Sequence, residues 1–216
     1  KFIVGPDMAD ADTVILRSHP FNADEHPGVK LVIRAGTEAS KVKGQRVDKG
    51  KACVQMTLGA NSESVAEEVA CAIIMLRRKF HASMAFVRAQ LDYSLPQKEF
   101  ENAYETGKAK FLGHELSATT LGVIGVGQIG IRVVELALFL GMRVIVYERD
   151  RLSALYRLLP TSVIKAKSID EVLAFSDIVT VHVPGEDNTH LIGKERIAFM
   201  RPDAVLNNSA RAEICK

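Results

Sequence analysis

Tryptophan is absent from this 216-residue chain, aromatic side chains make up 6% of it, and the formal net charge is only +2. A nearly balanced charge, with no dense Lys/Arg run interleaved with aromatics, argues against a nucleic-acid partner. Cysteine is scarce too. Cys53, Cys71 and Cys215 are widely scattered, form no CxxC pair and have no Cys/His metal spacing, so neither a disulfide framework nor a metal site is expected. No apolar run approaches the roughly 18 residues that would cross a bilayer, and "KFIVGPDMAD" lacks the long apolar stretch of a secretory leader. These absences imply a cytoplasmic chain with no membrane partner. Hydrophobic residues at 47% and charged residues at 25% leave ample material for a globular core of one or two domains.

What the chain does contain is an alternation of short apolar runs and turn residues. "TVILRS" (13–18), "KLVIRAG" (30–36) and "KACVQM" (51–56) read as strands, each β-branched and each followed by polar or turn residues. Pro20 and Pro27 break the intervening segment too often for a long helix. Residues 61–80 form the plainest helix. Asn61 or Ser62 can cap it, Glu63, Glu67 and Glu68 lie toward its positive end, and Arg77, Arg78 and Lys79 lie toward its negative end. Val65, Val69, Ile73 and Leu76 recur at helical spacing, predicting one buried face. Residues 81–118 are a polar, mixed connection with helical pieces that the pattern does not place.

From Thr120 the pattern becomes strand, helix, strand, helix, strand. "TLGVIG" leads into a helix over 128–140 with Ile129, Val133, Leu136 and Leu140 on one side, and then into "MRVIVYE". Ser168 and Glu171 form a capping box before "IDEVLAFS", and "DIVTVHV" and "AVLNN" are further strands. Alternating strands and helices imply right-handed crossovers and a parallel sheet. The first strand of this run ends in Gly125-Val126-Gly127-Gln128-Ile129-Gly130, a G-x-G-x-x-G turn that opens a helix, and Glu148 closes the next strand. In that context the hexapeptide is a dinucleotide fingerprint. Gly125 permits the tight turn, Gly127 lets backbone approach a pyrophosphate, and Gly130 lets helix and strand pack closely. The helix N-terminus supplies free N–H groups. Glu148 suits the ribose hydroxyls of NAD and repels a 2′-phosphate; Arg149 beside it pulls toward NADP, and the acid is expected to decide for NAD.

Six stretches together carry a wider resemblance: "RAGT", "GANSESVAEEV", "FLGHELSATTLGVIGVGQIG", "GMRVIVYE", "SDIVTVHVP" and "MRPDAVLNNSAR". In this order they resemble the D-isomer-specific 2-hydroxyacid dehydrogenases, the phosphoglycerate dehydrogenase branch most of all. The resemblance implies an α/β fold: a doubly wound, Rossmann-type parallel sheet over 59–216, incomplete at its C-terminus, and a reduced flavodoxin-like lid or substrate domain over 1–58. It also implies a homodimer through the nucleotide domain, a 2-hydroxy or 2-keto acid substrate and NAD as cofactor. Thr37 would reach the cofactor from the lid. Gln128 and Ile129 would offer backbone N–H groups to the pyrophosphate, and Val183, Ser209 and Ala210 would lie along the cofactor. Arg211 falls on the family's catalytic arginine, which grips the substrate carboxylate.

The resemblance also has departures. Glu38 stands for a second glycine, Ser40-Lys41 for Asp-Asn, Ala118–Thr120 for Gly-Lys-Thr, and Ala212 for a glycine. The family's proton-donating histidine and its acidic partner lie downstream of Arg211, where only Ala212 to Lys216 follow. His182, at a strand end before Pro184, is not expected to replace that histidine. These 216 residues are therefore expected to bind NAD and to turn over little substrate. A rival expectation is a non-catalytic, NAD(H)-responsive binding protein of the C-terminal-binding-protein type.

Overall fold

In the computed structural model, residues 11–17, 19–36, 42–89, 91–185 and 187–216 are described. The chain divides between Ser62 and Glu63 into two compact units. The N-terminal unit contains β1 (Thr13–Leu16), β2 (Phe21–Asn22), β3 (Leu31–Arg34), β4 (Val42–Lys43), the short helix α1 (Gln45–Asp48) and β5 (Cys53–Met56). Strands β1, β3 and β5 form a three-stranded parallel sheet in that order, and β2 pairs with β4. Val14, Phe21, Ala23, Val29, Val32, Val42 and Ala52 make its small core. The segments 13–18, 30–36 and 51–56 each hold the strand expected of them, over a shorter span.

The C-terminal unit opens with α2 (Ser62–Arg77), which begins at the boundary, then α3 (Phe80–Ala89) and α4 (Gln97–Lys108). Val69 and Ile73 of α2 are buried and Val65 is partly so, but Leu76 is 53% exposed. The apolar face therefore ends one turn earlier than the spacing predicts, and Ala66 joins it instead. The break that follows is Lys79, a residue with φ of 51°, which turns the chain into α3. Helix α4 was not placed by sequence pattern because it is mostly polar and begins after Pro96 with no side-chain cap.

The remaining strands are β6 (Thr120–Ile124), β7 (Arg143–Tyr147), β8 (Ile164–Lys165), β9 (Ile178–Val181) and β10 (Val205–Asn208), joined by α5 (Gln128–Phe139), α6 (Ala154–Arg157), α7 (Ile169–Phe175) and α8 (Lys194–Ile197). The sheet is wholly parallel, in the order β10-β9-β6-β7-β8. The chain works outward from β6 through β7 to β8, returns across β6, and then builds β9 and β10 on the other side. That reversal is the switch point of a doubly wound fold, and ligands enter such sheets at the carboxyl ends of the strands there.

Side-chain alternation explains the two layers. Leu121 and Val123 of β6, with Val144 and Val146 of β7, face α5. Ile124 and Ile145 face the opposite layer, where Val172 and Leu173 of α7 cover them. Strands covered on both faces are mostly apolar, and β6 and β9 are buried along their whole length with Thr120 and Thr180 as their polar members. Helix α7 starts on the expected cap: Ser168 Oγ accepts the Glu171 N–H at 3.1 Å. The return bond of the box shifts by one residue, because the Glu171 carboxylate takes the Lys167 N–H at 2.7 Å.

Candidate functional site

Three loops leave the carboxyl edge of the C-terminal sheet side by side: 125–127 after β6, 182–185 after β9 and 209–211 after β10. Gly125 has φ of 94°, the left-handed region where a side chain is strained. A Cβ there would also stand 2.8 Å from the His182 carbonyl oxygen and 2.9 Å from Val183 Cγ1. At Gly130 a Cβ would strike the Gly125 carbonyl oxygen, so the first turn of α5 lies directly against the end of β6. Gly127 is the contrast. It is the N-cap of α5, no side chain caps it, and a Cβ there would meet nothing within 4 Å. The Gln128 and Ile129 N–H groups thus begin a helix at an open face, where a helix leaves such donors without partners inside itself.

Glu148 follows β7 and reaches back to this turn. Its Oε2 accepts the Val126 N–H at 2.7 Å and its Oε1 accepts the Asp150 N–H at 3.0 Å. One carboxylate thereby ties the glycine turn to the end of the neighbouring strand. The Val126 N–H is a member of the site that sequence reasoning missed, since backbone donors carry no residue-type signal.

On the other side of β6, His182 donates its backbone N–H to the Ile124 carbonyl at 2.8 Å, which extends the ladder past β9. Its ring bridges two hydroxyls: Nε2 lies 3.0 Å from Thr180 Oγ1 and Nδ1 lies 3.2 Å from Ser209 Oγ. Burial lowers its pKa to about 4, so the imidazole is neutral at neutral pH. No carboxylate is paired with it, or with any other histidine, among the described residues.

The loop after β10 is fixed by Asn208. Its Oδ1 accepts the Ala210 N–H at 3.1 Å and its Nδ2 donates to the Arg211 carbonyl at 2.7 Å. Arg211 is exposed, and its aliphatic stem lies beside Gly185 together with the Glu213 carboxylate. Backbone bonds from His190 to Glu213 and from Ile192 to Ile214 hold this segment against 190–192.

The fold thus gathers Gly125, Gly127, Gln128, Ile129, Gly130, Glu148, Val183, Ser209, Ala210 and Arg211 along one sheet edge. Thr37, with Glu38, Ser40 and Lys41, lies outside the described residues. An open cleft of about 570 Å³ occurs instead within the N-terminal unit, lined by Pro20, Phe21, Asp24, Lys43 and Asp48 among others. Its most engaged acid, Asp24, is occupied in accepting the Gln45 and Arg46 N–H groups at the start of α1. No group of three or more His, Cys, Asp or Glu side chains suited to a metal occurs among the described residues. No described helix is long and apolar enough to cross a membrane.

Comparison with known proteins bears on the family and the fold. Residues 71–216 match the family model of the D-isomer specific 2-hydroxyacid dehydrogenase NAD binding domain. A hydroxypyruvate reductase of Thermotoga maritima is 31% identical over 186 residues, which is 85% of this chain and 54% of that enzyme. A D-3-phosphoglycerate dehydrogenase of Methanocaldococcus jannaschii is 29% identical over 189 residues, 84% of this chain and 36% of that enzyme. Among solved structures, the D-lactate dehydrogenase of Aquifex aeolicus, complexed with NAD and lactic acid, superposes with a TM-score of 0.76. It is 26% identical, and the match covers 97% of this chain and 59% of that one. The chain therefore spans between about a third and three fifths of the lengths of these relatives.

Proposed function

The chain belongs to the D-isomer-specific 2-hydroxyacid dehydrogenase family, and we propose that it serves an oxidoreductase of the phosphoglycerate dehydrogenase type. The reaction is hydride transfer between C2 of a 2-hydroxy acid and the nicotinamide of NAD. One observation carries the reading: the open N-terminus of α5 at Gly127, with the Glu148 carboxylate hooked onto the same turn through Val126.

The residues divide the work as follows. Gly127, Gln128 and Ile129 take the pyrophosphate on backbone N–H groups and the helix dipole. Glu148 accepts the ribose hydroxyls with the lone pairs left by its two backbone bonds. Val183 and Ala210 flank the nicotinamide end. Arg211, exposed at the end of the same edge, grips the substrate carboxylate as a two-pronged donor. NAD, when bound, accepts or gives the hydride.

Reduction also needs a proton donor at the nascent alkoxide. His182, buried and neutral, does not supply it, and no described histidine carries the acidic partner that would tune one. These residues therefore bind NAD(H) with little turnover of their own. A second reading is an NAD(H)-responsive binding protein in which the dinucleotide governs assembly. Exposed Ile74, Leu76 and Phe80 support a homodimer built through the nucleotide domain. We take the compartment to be the cytoplasm, with the thiols reduced.

Calorimetric titration with NADH and then NADPH tests the core claim. Micromolar NADH affinity with at least tenfold weaker NADPH binding is the expected result, and no binding of either would overturn it. Sedimentation with and without NADH separates the two readings, since only the second requires NADH to change the oligomeric state without substrate being consumed.

A further inference from the structure

The buried bridge between β9 and the loop after β10 does more than join two loops. Thr180 is fully buried on β9, and its hydroxyl has one partner among the described residues, His182 Nε2 at 3.0 Å. A buried O–H that donates to nothing forfeits a hydrogen bond and leaves a desolvated donor unpaired. The Thr180 proton therefore points at Nε2, which must accept it. A neutral imidazole carries one N–H, so with Nε2 as acceptor the proton sits on Nδ1. Nδ1 faces Ser209 Oγ at 3.2 Å, and in this tautomer it donates to that oxygen. The Ser209 hydroxyl has then used a lone pair inward, and its own proton is free to point outward.

Strand register makes this arrangement a property of the sheet. Val181 pairs with Asn208 in the last rung of β9 and β10, so His182 and Ser209 are the next residues on each strand. The network ends blindly inside the sheet at Thr180, so it has no exit for a proton and cannot act as a relay. What it can do is fix direction. Ser209 is half-buried, one residue from Ala210 and two from Arg211, at the edge where the three loops open.

We propose that Thr180 and His182 are positioning residues that hold Ser209 as an outward hydrogen-bond donor to an sp² oxygen of the bound ligand. That oxygen belongs either to the nicotinamide carboxamide or to the 2-oxo acid held by Arg211. The proposal deepens the dehydrogenase reading above and rests on it for the ligand, though not for the tautomer.

Two measurements on the full chain decide it. A long-range ¹H–¹⁵N spectrum of His182 at neutral pH should show Nδ1 protonated and Nε2 bare, the opposite of the form that free histidine prefers. An Nε2–H signature would overturn the proposal at its first step. Titrations of wild type and Ser209→Ala with NADH, and of their NADH complexes with the unreactive 2-oxo acid analogue oxamate, follow. A loss of about tenfold in NADH affinity assigns the acceptor to the carboxamide, and a comparable loss confined to oxamate assigns it to the acid. The tenfold size reflects one net hydrogen bond. Unchanged affinity for both sinks the donor role while leaving the dehydrogenase reading intact. A wild-type chain that takes no NADH would sink both together.

Discussion

The two units of this chain are built from the same kind of strand and cover it differently. In the C-terminal unit β6 and β9 are buried along their whole length, between α5 on one face and α7 on the other. In the N-terminal unit β1 alternates, with Val14 buried and Ile15 72% exposed, and β5 has no buried residue. A parallel sheet is ordinarily covered on both faces. The difference teaches where the binding geometry is self-supporting: the glycine turn, Glu148, His182 and Ser209 all hang from the doubly covered sheet and need nothing outside it for their positions.

The sharpest way to break this comparison is to remove the same side chain from each sheet. Ile124, wholly buried at the end of β6, should cost about 4 kcal/mol as Ile124→Ala, from lost transfer energy and the cavity left behind. Ile15→Ala should change stability by less than about 0.5 kcal/mol, since its side chain already meets water. Urea unfolding followed by hydrogen exchange at Val179 and Val32 reads the two units separately. Equal losses would mean that the exposed face of β1 is not solvated.

Acid should separate the units next. His182 has a folded pKa of about 4 because burial penalises the charged ring, below its ordinary 6.5. Between those values the unfolded chain takes a proton that the folded one refuses. The stabilising contribution is thus complete above pH 6.5 and is lost as pH falls toward 4, at about 1.4 kcal/mol per pH step. About 3 kcal/mol should go between pH 7 and pH 4, and His182→Gln should flatten that slope. The N-terminal unit behaves otherwise. Asp24 is held below its ordinary 3.8 by the Arg46 and Gln45 N–H groups, so its contribution persists until the pH drops below that range. Exchange rates at pH 5 that rise equally in both units would contradict the assignment.

The same contrast explains what could be read from sequence. The glycine turn and Glu148 were legible because their geometry is local: a left-handed Gly125, an uncapped helix start and an acid at the next strand end each leave a residue-type signature. The capping box at Ser168 was legible for the same reason, although its return bond moved to Lys167. Strand β8 was not, because Ile164 and Lys165 are both exposed at the sheet edge and show no apolar alternation. The end of the α2 face at Leu76 depended on the turn at Lys79, which no spacing rule encodes. The His182–Ser209 contact joins residues 27 apart in sequence and follows only from the register of β9 and β10. A histidine immediately past one strand and a serine immediately past its neighbour was the signal available, and it needs the strand order to be read.

Glu148 offers the finest test, because it belongs to the site and to the sheet at once. Its carboxylate holds the Val126 N–H, and the proposed ligand contact uses the lone pairs that remain. Hydrogen bonds to a charged group contribute about 1.5–3 kcal/mol. Glu148→Ala should therefore weaken NADH binding by about 2 kcal/mol, roughly 30-fold, and narrow the gap to NADPH by removing the like charge near a 2′-phosphate. Glu148→Gln, which keeps an acceptor for Val126, should fall between. Exchange at Val32 should not move for either variant, whereas exchange at the Val126 amide should quicken in the alanine variant alone. If Glu148→Ala lost less than threefold in NADH affinity while the Val126 amide quickened, the acid would belong to the sheet and not to the cofactor. The NADH preference would then have to come from the loop beyond Arg149, against the pull of that guanidinium toward a 2′-phosphate.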